Sequence, residues 1–162
     1  MLIDGDLVIA ETIAILEYVA EQNPDANLWP TDTSARAMAR SVSAEMHAGF
    51  TALRTHMPMN IRASHPGRGM GEGVARDIAR IEQIWGECRT RFGAGGDFLF
   101  GDFSCADAMF APVVWRLTTF GVSVTPLSAA YMEAVRTLPA MVEWETAARA
   151  EPWTVAEDEI EE

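Results

Sequence analysis

Gly101-Asp102-Phe103-Ser104-Cys105-Ala106-Asp107-Ala108-Met109-Phe110-Ala111-Pro112-Val113-Val114-Trp115-Arg116-Leu117 reads as a helix with a defined start and almost no polar side. Ser104 followed by Asp107 is a capping box. The serine oxygen can accept a backbone N–H of the first turn, and the Asp107 carboxylate can accept the N–H of Ser104. Phe103 holds the staple position before the cap, with Ala108 as its short partner. Ala108, Phe110, Ala111, Val113, Val114, Trp115 and Leu117 leave the helix apolar nearly all round, which places it in the middle of a core. Pro112 removes a backbone bond and crowds the carbonyl four residues back, so a kink is expected. Such a bend either eases packing or aims Trp115 and Arg116 at a cleft.

The flanking sequence is helical with short punctuation. Ser34 to about Met57 is the longest predicted helix, with Ala35, Met38, Val42, Met46, Phe50 (or Gly49), Leu53 and Met57 recurring at three- and four-residue steps. Asp32 or Thr33 offers its cap, and Pro58 ends it. The loop Ala63–Gly71 is rich in glycine, which predicts mobility. Val74, Ile78, Ile81, Trp85, Cys88 and Phe92 then mark one clean helical face, stopped by Gly93-Ala94-Gly95-Gly96. Two further helices, Pro126 to Leu138 and Pro139 to Ala150, each open on a proline. At the N-terminus, Asp4-Gly5 between two apolar runs predicts a hairpin. Leu7 to Glu21 passes from a short strand into an amphipathic helix that Pro24 stops.

Composition narrows the function classes. The 162 residues suffice for one domain burying roughly 70% of its unfolded surface. Twelve Lys and Arg against 24 Asp and Glu give a net charge of −12, which repels phosphate backbones and argues against a nucleic-acid partner. Two cysteines, no apolar run long enough for a membrane span and no signal-like start point to a cytoplasmic protein without membrane partners. His47, His56 and His65 share no metal-ligand spacing, so no metal site is expected. Cys105 at the first helical position is either a dipole-activated thiol or a small core residue.

The Ser104/Asp107 cap behind a glycine turn, together with Glu11-Thr12 at the strand-to-helix turn and the stretch Asn27-Leu28-Trp29-Pro30, resembles the glutathione transferase family. The resemblance runs from residue 2 to about 153. It implies an all-helical C-terminal-type bundle with a short N-terminal hairpin. The implied divisions are 1–23 as hairpin plus helix of a thioredoxin-like domain, 24–32 as linker, 33–154 as helical domain and 155–162 as an acidic tail. It further implies that Ser104 and Asp107 are structural, and that Glu11 and Thr12 grip the γ-glutamyl end of glutathione, which is a substrate and not a cofactor. The family's catalytic Ser, Tyr or Cys belongs to a segment with no counterpart in this chain. The catalytic residue is therefore unknown, and the chain alone is expected to be inactive.

The co-substrate pocket is expected on the long helix. His47, Phe50 or Thr51, and Arg54 fall at three- and four-residue spacing, so one face carries an imidazole, a ring or hydroxyl, and a guanidinium suited to carboxylates. Gly49 in mid-helix suggests close approach of a neighbour. The resemblance adds Trp115 and Arg116 to this pocket, and it puts the long helix at a homodimer interface with Ala48, Gly49 and Ala52 as close-approach residues. Three functions follow: a protein that conjugates or binds glutathione with a hydrophobic electrophile, a non-catalytic helical dimerisation or interaction module, or a binding protein for a small apolar ligand in the helical cleft that works without glutathione.

Overall fold

The computed structural model describes residues 1–156, 159 and 160; Glu157, Asp158, Glu161 and Glu162 of the expected acidic tail lie outside the described residues. The chain opens with β1 (Leu2–Asp4) paired antiparallel to β2 (Leu7–Ile9), with Leu2 opposite Ile9 and Ile3 opposite Val8. Gly5 takes a positive φ of 56° at the first position of the two-residue loop, which suits the strand twist. Helix α1 (Thr12–Gln22) follows and ends at Asn23, before a single 3₁₀ turn at Pro24–Ala26. Then come α2 (Thr33–Ala48), α3 (Thr51–His56), α4 (Val74–Phe92), α5 (Cys105–Thr119), α6 (Pro126–Thr137) and α7 (Pro139–Ala150). The described residues thus form an all-helical bundle with a small hairpin at its N-terminal end.

The expected single helix from Ser34 to Met57 is two helices. Asp32 caps α2 by accepting the Ala35 N–H at 2.8 Å, and α2 ends at Gly49, which is extended at φ −109°, ψ −164°. Phe50 then takes a left-handed φ of 56° and turns its ring into the core, where it is 7% exposed. Glycine's poor helix propensity permits the break, and burial of the Phe50 ring stabilises it. Phe50 has no side-chain oxygen with which to cap α3. Asp77, in the first turn of α4, does so from a distance: its carboxylate accepts the Leu53 N–H at 3.0 Å. Ala52 also serves within the chain, since a Cβ added at Gly73 would lie 3.0 Å from its side chain.

Helix α5 sits between α2 and α6 and runs on through Pro112. Its capping box is closed: Asp107 Oδ2 accepts from Ser104 N at 2.8 Å and from Ser104 Oγ at 2.9 Å. Its other oxygen accepts the Leu99 N–H at 3.0 Å, fastening the 97–102 turn to the helix start. Phe103 packs edge-on against Phe98. The core is built of Trp85, Phe110 and Tyr131, with the Trp85 ring set edge-on to both neighbours at 6.0 and 4.8 Å.

The loop between α3 and α4, expected to be mobile, is tied to the end of α5. His65 N donates to Thr119 O at 2.8 Å and Gly67 N to Phe120 O at 3.1 Å, while Thr119 Oγ1 donates to Asn60 O at 2.8 Å.

Candidate functional site

The turn from β2 into α1 forms one polar corner. Glu11 is the N-cap of α1: its side chain accepts the Ala14 N–H at 2.9 Å. The other carboxylate oxygen lies 3.0 Å from His47 Nε2, at the C-terminal end of α2. The first-turn N–H groups, Ala14 foremost, hold the Glu11 carboxyl below the usual carboxylate range, and His47 adds to the effect. Glu11 is therefore an anion at neutral pH, and Thr12, the next residue, is exposed. Arg54 Nη1 donates to the carbonyl of His47 at 3.1 Å, tying α3 to the same corner. A fixed carboxylate beside a helix N-terminus and a hydroxyl can receive both ends of an α-amino acid: its ammonium on the carboxylate, its carboxylate on the hydroxyl and helix end.

The six residues expected to line a co-substrate pocket divide. His47 and Arg54 are exposed at the Glu11 corner, Thr51 is exposed at the start of α3, and Phe50 is buried in the core. The break at Gly49 ends the single helical face that was to carry them. Trp115 is 2% exposed, edge-on to Trp144 at 6.4 Å, with the Arg136 guanidinium over its ring. Arg116 donates to the carbonyls of Arg54 and Met57 and so holds α3 against α5.

A cavity of about 210 Å³ lies beyond that contact and was not read from the sequence. Met59, Ile61, Trp144, Ala148, Trp153 and Val155 give it apolar walls. It forms because residues 151–155 pass back over the loop after α3, a long-range contact with no local sequence signal.

The chain's thiols and phenols are not activated. Burial pushes Cys88 up to about 12 and Cys105 up to about 11, so Cys105 is a packing residue and not a thiolate. Tyr18 donates to Asp4 Oδ2 at 2.7 Å, which raises its phenol. Tyr131 is held well above its ordinary value, first by burial and then by the Asp107 carboxylate. Among the described residues, no group of three or more His, Cys, Asp or Glu could hold a metal ion, and no helix is long and apolar enough to cross a membrane.

Residues 71–148 match the family profile described as glutathione S-transferase, C-terminal domain. The chain is 29% identical over 133 residues to a stringent starvation protein A homolog of Coxiella burnetii, covering 81% of this chain and 58% of that protein. It is 26% identical to a probable maleylacetoacetate isomerase of Caenorhabditis elegans, covering 76% and 57%, and 23% identical to glutathione S-transferase Z2 of Arabidopsis thaliana, covering 86% and 64%. The chain thus spans about three fifths of the length of these curated relatives. Among solved structures, a glutathione transferase homolog from Burkholderia with bound glutathione superposes with a TM-score of 0.67 at 25% identity, covering 91% of this chain and 72% of that one.

Proposed function

Starting from a chain that is a glutathione S-transferase family protein, we propose that it recognises the γ-glutamyl end of glutathione at Glu11 and Thr12 and admits a hydrophobic co-substrate at the Trp144/Trp153 cavity. The observation that carries this is the Glu11 carboxylate. It is ionised, held in place by the Ala14 N–H and His47, and half-exposed at the mouth of a helix. Glutathione's free ammonium pairs with that carboxylate, and its α-carboxylate takes the Thr12 hydroxyl and the positive end of α1. His47 and Arg54 flank this corner, and Arg54 adds a guanidinium suited to a second carboxylate.

Binding is the activity proposed for these 162 residues. Conjugation needs a donor that stabilises the glutathione thiolate. Both tyrosines and both cysteines of this chain are shifted the other way. The test is calorimetric titration with glutathione. Saturable binding is expected, and Glu11→Gln, which keeps an acceptor for the Ala14 N–H but loses the charge, weakens it by about tenfold or more, the worth of a charged hydrogen bond. Equal affinity in the variant, or no saturation in the parent chain, overturns the assignment.

A second reading, an interaction module, is favoured by the hairpin. Ile3 and Val8 form a cross-strand pair that is 64% and 56% exposed, on strands whose outer edges have no partner among the described residues. Such an edge invites pairing with another chain. A homodimer is proposed on either reading; sedimentation equilibrium yielding only a 17.7 kDa species would exclude it.

A further inference from the structure

Arg62 leaves the loop after α3 and reaches across the molecule to the segment after α7. Its Nη1 donates to Glu151 O at 2.8 Å; its Nη2 donates to Trp153 O at 2.9 Å and lies 3.2 Å from Thr154 Oγ1. Glu151 is the C-cap of α7, so one guanidinium both closes that helix end and fixes the direction of the chain beyond it. The fixed chain then lays Trp153 and Val155 along the cavity, opposite Met59 and Ile61. Trp153 is 69% exposed and makes no ring contact among the described residues, so its own packing does not hold it there.

We propose that Arg62 is a positioning residue that clamps residues 151–154 as a strap, so that Trp153 forms a wall of the cavity and selects a flat, uncharged aromatic ligand. Glu151 and Glu159 among the lining residues, on a chain of charge −12, disfavour an anion. The Arg62 guanidinium, its fork taken up by the strap, disfavours a cation. Ligand selection rests on the proposal that this cavity takes the co-substrate; the clamp does not.

Two measurements separate them. In the ¹⁹F spectrum of the chain labelled with 5-fluorotryptophan, Arg62→Ala should shift the Trp153 resonance to the position it has in the urea-unfolded chain and leave those of Trp29 and Trp85 in place. Arg62→Lys, which keeps the charge but not the fork, should do the same. An unmoved Trp153 resonance overturns the clamp. N-phenyl-1-naphthylamine serves as the neutral aromatic probe in a fluorescence titration. Losing one aromatic wall should weaken its binding roughly two- to tenfold in Trp153→Ala. Arg62→Ala should match that loss, and the double variant should lose no more than either alone. Additive losses overturn the proposal that Arg62 acts through Trp153. No probe binding by the parent chain overturns the cavity as a ligand site, while the ¹⁹F result still decides the clamp.

Discussion

Replacing Asp107 by alanine tests the centre of the fold. The carboxylate is fully buried and accepts three bonds: from Leu99 N, Ser104 N and Ser104 Oγ. The serine hydroxyl can rotate to another acceptor, but the two backbone N–H groups cannot. Each stranded buried donor costs about 1–3 kcal/mol, so the variant should lose about 2–6 kcal/mol. Against a typical stability of about 5–15 kcal/mol, that is enough to leave the chain partly unfolded at room temperature. Asp107→Asn keeps one acceptor oxygen and strands one N–H, so it should lose about 1–3 kcal/mol and fall between parent and alanine variant. Urea unfolding followed by far-ultraviolet circular dichroism gives the midpoints. A loss below about 1 kcal/mol in the alanine variant, or an asparagine variant weaker than alanine, would refute the assignment. The pH dependence has a definite sign. Burial raises the Asp107 carboxyl above its ordinary value despite the opposing pull of Leu99, Ser104 and Tyr131. The folded state therefore binds the proton more tightly than the unfolded chain. The stability linked to that proton is full below the ordinary carboxylate value and is lost as pH rises through the folded value. The lead of the parent over Asp107→Asn should accordingly shrink as pH rises through that window.

Asp77→Ala removes the distant cap of α3 and strands the buried Leu53 N–H, which should cost about 1–3 kcal/mol and lower the thermal midpoint; an unchanged midpoint would mean that water replaces the carboxylate. Two glycines should respond in opposite directions. Gly86→Ala, inside α4 with nothing within 4 Å, should stabilise by about 0.5–1 kcal/mol, whereas Gly96→Ala, whose Cβ would run into the Gly101 carbonyl, should destabilise. Cys88 and Cys105, buried and raised, should resist a thiol reagent at pH 8 until the chain is unfolded; rapid labelling of the native chain would contradict their burial. The 162-residue chain should show no saturable conjugation of a chloronitrobenzene-type electrophile above the solution rate.

The all-helical bundle and most of its element boundaries were legible because they rest on local chemistry. The apolar face from Val74 to Phe92 has a 3.6-residue period and a glycine stop, and α4 occupies those residues. Prolines at positions 126 and 139 start α6 and α7, and Ser104 with Asp107 announces the core helix three residues at a time. The start of α1 at Glu11 and Thr12 was legible for the same reason, since a turn between strand and helix lies within five residues. Long-range packing decided the rest. The period through Phe50 continues as if α2 and α3 were one helix, and only burial of the Phe50 ring against the core, with Asp77 supplying a cap from 24 residues away, makes the break stable. Arg116 reads as a pocket cation until its carbonyl partners at Arg54 and Met57 appear. Arg62 and Trp153 carry no joint signal across 91 positions of chain, because a guanidinium bonded to main-chain carbonyls does not depend on which side chains follow them.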